Sequence, residues 1–528
     1  MRSFRFYAVA IAVVACSLAP NCGWTAQAAP PPGRRAIARF DAGMRRILAQ
    51  PEAAKGNWGI LVADQETGRT LYELNATHYF TPASNAKLFT AALALDELGP
   101  SYRWRTTLES PGRIDKAGTL EGNLVLVGRG DPDLSNRVFP FGEQEQFDGP
   151  PDKAIEDLVD QLIAKGVRRI QGDVVADDSY FTYHRYMPGW TIDDFSAEYG
   201  APVSAIVIDD NTLEVDVSPG RWPSDASVLQ VLPWAGFYHF TNLAETGPAG
   251  SATDLKLEKQ PDSFDVRLEG RIAAGAPVQK LSIGIEQPAR YAAALLKQIL
   301  IERGVAVSGG SRAVHLLPDQ TPTPPVARQV LAEHESPTLG EDVRFMLKVS
   351  QNLHAECLLR TVAHVKTGVG SERNGLAVEK EFLGRLGIAD EVAFYDGSGL
   401  SHYDLVTPRA IVTLLRYAAG QSWGPIYRNS LPDAGRDGTL DDRMGRMAAS
   451  GRVFAKTGTL MHDHSLSGYA TTLGGEQLVF SIMVNNIPPG VKFNPVIDEI
   501  ANAMVVDLSG RPRRLPVRRP QRRERRRP

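Results

Sequence analysis

The sequence predicts a mixed α/β (α+β) fold, an antiparallel sheet with flanking helices, split by a long excursion that carries two further domains. Three observations predict it. An apolar helix starting near residue 82 follows directly on a strand hairpin, and helices and strands of the same texture resume only after about residue 335. Between them a helix-glycine-strand pattern occurs twice, separated by an alternating, strand-rich stretch. At 528 residues, 43% hydrophobic and 23% charged, the chain has room for about two to four domains with a substantial core in each.

The elements follow in order. After Pro30-Pro31-Pro32 the apolar period predicts a helix over 37–48, then strands over 58–64 and 70–72 about the turn Glu66-Thr67-Gly68. In the stretch Thr81-Pro82-Ala83-Ser84-Asn85-Ala86-Lys87, Thr81 is the expected cap and Pro82 suits a first turn. The apolar run through Leu88, Phe89, Ala92, Leu95 and Leu98 continues it as a buried helix. Residues 105–126 alternate as strands, Gly128 to Asp133 reads as a tight loop, and 154–163 has a helical period. That loop lacks the spacing and following lysine of a phosphate-binding loop. The repeated units run from Asp160 through Gly166 to Gly172 and from Leu296 through Gly304 to Gly309, and two such units fit one domain interrupted by an insertion. The insertion looks all-β: 205–209 and 213–217 alternate around Asp210-Asn211, and 263–270 alternates again. The proline-rich 318–325 marks a return linker. A long helical pattern from Asp342 to about Val362 contains Ser350-Gln351-Asn352, at an expected break. Helices over 378–386 and 408–417, strands over 469–473 and 478–485, and a helix over 494–507 complete the chain.

The first 28 residues stand apart. Arg2 and Arg5, an apolar run from Phe6 to about Leu18, and Ala26-Gln27-Ala28 form a secretory signal and cleavage site, and the run is too short to span a membrane as a mature helix. Val13-Val14-Ala15-Cys16 offers the alternative of a lipid anchor on Cys16. Cleavage after Ala28 leaves Cys357 alone, which excludes a disulfide scaffold; in its apolar setting Cys357 reads as a buried structural thiol. The net charge of −3 conceals an asymmetry: residues 511–528 hold ten arginines and one glutamate, +9, and the leader +2, so residues 29–510 carry −14. The basic tail has almost nothing apolar to bury and is expected to be disordered. Its two readings are a tether to anionic wall polymer or membrane surface and a solubilising extension; nucleic acid fits poorly with export.

Ser84 and Lys87 lie one helical turn apart on the same face. A serine hydroxyl needs a base, and a lysine desolvated beneath a buried helix can have its pKa lowered far enough to serve. Serine and lysine three apart arise about once by chance at this length, whereas Lys456-Thr457-Gly458 arises about one time in ten. The triplet stands directly before the strands at the end of the chain, where an edge strand could face Ser84. Ser84-Asn85-Ala86-Lys87, Ser350-Gln351-Asn352 and Lys456-Thr457-Gly458-Thr459, in this order, form the signature of serine penicillin-binding proteins and related β-lactamases.

The chain resembles the D-alanyl-D-alanine carboxypeptidase/endopeptidases of peptidase family S13, the low-molecular-mass class C penicillin-binding proteins. Beyond the three motifs the resemblance rests on Gly130-Asp131-Pro132, Asp177-Asp178-Ser179, Pro188-Gly189-Trp190, Tyr199-Gly200-Ala201-Pro202-Val203-Ser204, Tyr395-Asp396-Gly397-Ser398-Gly399-Leu400-Ser401 and Asp437-Gly438-Thr439-Leu440. It implies a serine β-lactamase/transpeptidase-like domain in two pieces, 34–105 and 336–509. An inserted α/β domain occupies 106–205 and 278–335, and a β-rich domain at 206–277 is nested in it; the basic tail, 510–528, lies outside the resemblance. It also implies roles. Ser84 attacks the D-Ala-D-Ala carbonyl, Lys87 takes its proton, Ser350 relays a proton to the leaving nitrogen, and Lys456 tunes that relay. Asn352 holds Lys87 and the acyl-side amide, and the amides of Ser84 and Thr459 form the oxyanion hole. Lys456, Thr457 and Thr459 receive the substrate's terminal carboxylate, Gly458 is a substrate-binding residue between them, and Asp396 and Ser398 stand beside the cleft as substrate-binding or, better, loop-shaping residues. No cofactor or metal is implied, although His402, His462 and His464 make the region histidine-rich; they read as rim residues. The expected partners are peptidoglycan stem peptides and β-lactams as inhibitors, in the periplasm. A β-lactamase of the same fold and a non-catalytic peptidoglycan-binding protein are the alternatives. The first is disfavoured by the absence of a deacylating glutamate motif, the second by the intact constellation.

Overall fold

A computed structural model describes residues 30–322, 326–488 and 490–510. The expected leader, with Cys16 and Cys22, and the arginine-rich tail beyond Gly510 lie outside the described residues.

One five-stranded antiparallel sheet organises the two ends of the chain, in the order Thr70–Leu74, Asn57–Asp64, Gln477–Asn485, Asp463–Thr471, Val453–Leu460. Its inner strands are buried on both faces, because helices cover both. Alternation along Asn57–Asp64 sends Ile60 and Val62 to one side, against the helices Arg34–Leu48 and Asn494–Asp507. Leu61 and Ala63 go to the other, against Lys87–Glu97 and Pro408–Ala419. Lys87–Glu97 is buried all round, from Leu88 to Leu95, as its unbroken apolar composition requires. The expected hairpin and the terminal helix at 494–507 are present as read.

The excursion leaves on the strand Arg105–Ser110 and returns on Gln329–Glu335, which pair antiparallel with Arg105 opposite Glu335. The two chain ends of the insertion are therefore neighbours. They edge a second five-stranded sheet completed by Leu124–Val127, Val174–Thr182 and Ser311–Leu316. The twin helix-glycine-strand units lie side by side here. Helices Lys153–Ala164 and Pro288–Glu302 contribute to one core, and the strands that follow them pair in parallel, Ser311 opposite Val174 and Val307 opposite Ile170. The nested β-rich unit has one sheet of Val228–Leu232, Thr212–Ser218 and Gln279–Gly284, so its pairing extends past residue 277. A second sheet is built around Asp265–Ala273, and Val215, Val217, Leu268 and Ile272 fill the space between.

Two local readings, the Gly128 to Asp133 loop and the Thr81 cap, are corrected, and the connection at Asp210-Asn211 is defined. Gly128 to Asp133 is a loop only as far as Gly130; Asp131–Leu134 is a short strand paired in parallel with Ile206–Ile208. Strands Ile206–Ile208 and Thr212–Ser218 do not pair with each other: Asp209, Asp210 and Asn211 are all left-handed, with φ of 47°, 55° and 53°. Thr81 caps nothing. Its backbone N–H is taken by the Asn485 side chain at 2.8 Å, and the helix is entered through a 3₁₀ turn, Ala83–Ala86, that has no side-chain cap. Tertiary contact with the last strands replaces the local cap there.

Candidate active site

Ser84 sits in that 3₁₀ turn and Lys87 begins the α-helix behind it. The turn is held from three sides. Ser465 donates to the Pro82 carbonyl at 2.7 Å, Asn85 donates to the Lys456 carbonyl at 3.0 Å, and Ala83 is left-handed at φ 49°. Two glycines permit the close approach. A Cβ on Gly458 would lie 2.2 Å from Ser465 Oγ and 2.6 Å from the Pro82 carbonyl oxygen, which gives the motif glycine a steric reason. Gly399, at φ 79°, has no room at all: a Cβ would stand 1.9 Å from the Ala83 carbonyl oxygen. Gly399→Ala is expected to cost about 1 to 3 kcal/mol in backbone strain. It should slow acylation of Ser84 more than tenfold by displacing the turn, measured by benzylpenicillin labelling beside a thermal melt.

Lys87 Nζ lies 2.9 Å from Ser84 Oγ, 2.5 Å from Asn352 Oδ1 and 2.8 Å from the Ser398 carbonyl. All three are neutral oxygens, so no direct ion pair stabilises an ammonium there. Burial therefore lowers the lysine pKa from 10.5 to about 7, against the opposing pull of Asp396, Glu356 and Asp404. Burial also raises the Glu356 carboxyl to about 8 and pushes Asp404 up, which weakens that pull near neutrality. A base half deprotonated near pH 7 thus sits against the serine hydroxyl.

The helical pattern from Asp342 to Val362 does break at the expected place. Leu339–Val349 ends at Ser350, left-handed at φ 68°, and Asn352–Thr367 begins after Gln351. The break turns Ser350 and Asn352 towards the Ser84 turn. Lys456 Nζ donates to Ser350 Oγ at 2.8 Å and to the Thr457 carbonyl at 2.9 Å. Burial, and then the field of Lys87, hold the Lys456 pKa well below 10.5. Two lysines and two serines form two Lys–Ser pairs, Lys87 with Ser84 and Lys456 with Ser350, and Val453–Leu460, which carries Lys456, is the edge strand.

The remaining expected residues divide. Thr459 is exposed and, with Ser84, Ser350 and Asn352, lines a cleft of about 770 Å³. Thr457 is half-buried and bonds Thr439 hydroxyl to hydroxyl at 2.7 Å. Asp396 and Ser398 are both fully buried and do not face the cleft. The Asp396 carboxylate accepts the amides of Ser398, Gly399 and Ser401 and the Trp190 indole N–H. They shape the loop that presses Gly399 against Ala83. Trp190 is buried at the junction with the inserted unit. His402, His462 and His464 line the cleft rim. Lys348 is clamped by both oxygens of Asp437 at 2.6 Å, and Arg443 pairs with Asp498 at 2.6 Å.

Sequence reasoning missed the partners that hold the Ser350 turn from the inserted unit. Asn352 Nδ2 donates to the Tyr199 carbonyl at 2.8 Å, and Gln351 Nε2 to Asp210 Oδ2 at 2.9 Å. Asp210 also receives Arg137 at 2.8 Å and His354 Nε2 at 3.0 Å, while His354 Nδ1 meets Asp342 at 2.5 Å. Burial alone would lower the His354 pKa, but the two carboxylates hold it up at about 10, so it is an imidazolium. The ligand atoms of Asp133, Asp342 and His354 lie within 4.8 Å of one another, yet both ring nitrogens of His354 already face carboxylates. The only signal in the sequence was the Asp209-Asp210-Asn211 turn. Asp210→Ala would take from buried Arg137 and His354 one of the two carboxylates each faces, leaving Glu145 and Asp342, so a loss of about 1 to 3 kcal/mol in urea unfolding is expected.

Residues 41–508 match the D-Ala-D-Ala carboxypeptidase 3 (S13) family. A D-alanyl-D-alanine carboxypeptidase of an Actinomadura species is 34% identical over 468 residues, spanning 86% of this chain and 82% of its own. Another, from Haemophilus influenzae, is 28% identical over 449 residues, 84% of this chain and 88% of its own. The crystal structure of penicillin binding protein 4 from Haemophilus influenzae superposes with a TM-score of 0.72 at 26% identity, covering 88% of this chain and 98% of that one. The same protein complexed with a β-lactam superposes at 0.68 and 25% identity.

Proposed function

The chain belongs to the D-Ala-D-Ala carboxypeptidase 3 (S13) family and is a serine-type carboxypeptidase of peptidoglycan; on that premise we propose that Ser84 carries the reaction as an acyl-enzyme. The observation that carries the assignment is the 2.9 Å contact of Ser84 Oγ with a lysine that burial brings to about pKa 7. Neutral Lys87 takes the hydroxyl proton as Ser84 Oγ attacks the carbonyl of the penultimate D-alanine. The new C–O bond gives a tetrahedral oxyanion, and the amides of Ser84 and Thr459 are the donors assigned to it. The proton passes to the leaving nitrogen through Ser350, whose hydroxyl is oriented by Lys456. The C–N bond breaks, D-alanine leaves, and water resolves the ester with Lys87 again as the base. The terminal carboxylate is assigned to Lys456, Thr457 and Thr459.

A β-lactam presents a carboxylate and an acyl bond in the same relation, which makes it a substrate for the first half of the cycle. The site is expected to take one equivalent of benzylpenicillin. Intact mass of the protein after incubation should show a single adduct that persists; absence of an adduct with the drug unconsumed defeats the assignment, and rapid consumption without an adduct gives a β-lactamase. Among the described residues no helix is long and apolar enough to cross a membrane. We assign the chain to the periplasm on its signal segment and its wall substrate.

A further inference from the structure

We propose that the polar face of the nested β-rich unit is the binding wall for the leaving strand of a cross-linked peptidoglycan peptide. The proposal rests on the Ser84 acyl-enzyme reading and extends it to what lies on the other side of the scissile bond. Whatever is attached to the leaving nitrogen must lie on the side of Ser350, because Ser350 delivers the proton to that nitrogen. For a carboxypeptidase substrate this is a single D-alanine. For a cross-link it is a diamino acid with a whole second stem peptide behind it.

A second cavity of about 680 Å³ opens on that side. It does not reach Ser84, but it shares Tyr199, Ser350 and Asn352 with the cleft that does, so both border the Ser350 turn. Its volume falls in the range of sites that take ligands of several hundred daltons, far more than one alanine needs. Its far wall has a simple origin in strand periodicity. Along Thr212–Ser218, Leu213, Val215 and Val217 are buried, the last two in the unit's own core, so Thr212 and Glu214 point to the opposite face. On the adjacent strand Ser282 stands opposite Glu214, and Lys280 opposite Asp216. Thr212, Glu214, Lys280 and Ser282 all line this cavity. The near wall is the catalytic turn itself, Ser350 to Asn352.

The wall offers what an extended peptide needs. Asn136 lines the cavity with a buried side-chain carbonyl oxygen that has no partner in the protein, and Asp209 lines it with a carboxylate that burial, then Asp210, raise to about 7. Asp209 is the acceptor this wall offers to a backbone N–H group. Lys280 is paired with Glu214 at 2.6 Å and faces Asp216 at 3.7 Å, and Glu145, Glu198 and Asp209 leave the lining acidic, which suits the amine of a diamino acid. The nested unit is thereby a specificity element for the cross-linked substrate rather than for D-alanine release.

The test fills the wall without touching the turn. Thr212→Trp and, separately, Ser282→Trp are assayed on a purified cross-linked disaccharide-tetrapeptide dimer, on a monomeric pentapeptide, and for benzylpenicillin acylation, with thermal melts to confirm folding. The expected result in each folded variant is a fall of at least tenfold in kcat/KM on the dimer, with D-alanine release and acylation within twofold of the parent. Dimer cleavage that stays unchanged, or that falls in step with pentapeptide hydrolysis, overturns the proposal. So does a parent enzyme that releases D-alanine but leaves the dimer intact. A parent that is not acylated and cleaves neither substrate sinks the Ser84 reading itself, a distinct result.

Discussion

Ser84→Ala abolishes the benzylpenicillin adduct and lowers D-alanine release by about 10⁴- to 10⁶-fold, the range in which serine enzymes lose activity with their nucleophile. The size of the effect follows from the absence of a substitute. Lys87 Nζ is spent on Ser84, Asn352 and the Ser398 carbonyl, and Ser350 is held by Lys456, so neither can attack in its place. The fold should survive. Ser84 Oγ makes its one side-chain hydrogen bond to Lys87, and the turn is fixed by Asn85, Ala83 and the Pro82 carbonyl, which the substitution leaves alone. A melting temperature within a few degrees of the parent, with no adduct by mass, is the expected pair of readings. An adduct of full stoichiometry on the variant would place the nucleophile elsewhere.

Lys87→Met removes the base at nearly constant volume and is expected to slow acylation by about 10²- to 10⁴-fold. The parent carries the matching signature in its pH dependence. The active form of Lys87 is the neutral amine, and burial puts its pKa at about 7 rather than 10.5. Below about pH 7 the amine takes a proton and the acylation rate should fall about tenfold per pH unit; above it the rate should level off. In Lys87→Met that limb should vanish, and a limb that persists unchanged would assign it to another group. The same shift bears on stability with a definite sign. The unfolded chain binds a proton on this lysine up to about 10.5 and the folded chain only up to about 7. Burial of Lys87 therefore costs stability below pH 7, and the cost declines as pH rises between the two values.

Much of this site was legible because its signals are local. Ser84 and Lys87 are three residues apart, Lys456 and Thr459 share one strand, and the helix break at Ser350 shows as a motif inside an apolar period. What was not legible is long-range. Nothing near Thr81 says that Asn485 will take its N–H, so a cap was expected where a tertiary contact stands. Nothing near Gln351 says that Asp210 will meet it across 141 residues. Asp396 and Ser398 show the converse. Their glycine-rich loop was readable as a tight path, but only burial decides that the carboxylate serves Trp190 and three backbone amides rather than a substrate.

The central strands of the catalytic sheet join the two ends of the chain, and that fixes a timetable. Asn57–Asp64 has the final strand Gln477–Asn485 as its inner neighbour, and Asn85 reaches its acceptor on Lys456 371 residues later. As the polypeptide emerges from its N-terminus, the serine arrives early and waits for its floor. The excursion can fold meanwhile, since its outgoing and returning strands clasp one another. A chain that ends before Val453 lacks Lys456 and the edge strand that carries it, and its Ser84 is expected to be unreactive towards benzylpenicillin. The motif that reads as the beginning of the enzyme is, in time, the last part of it to be finished.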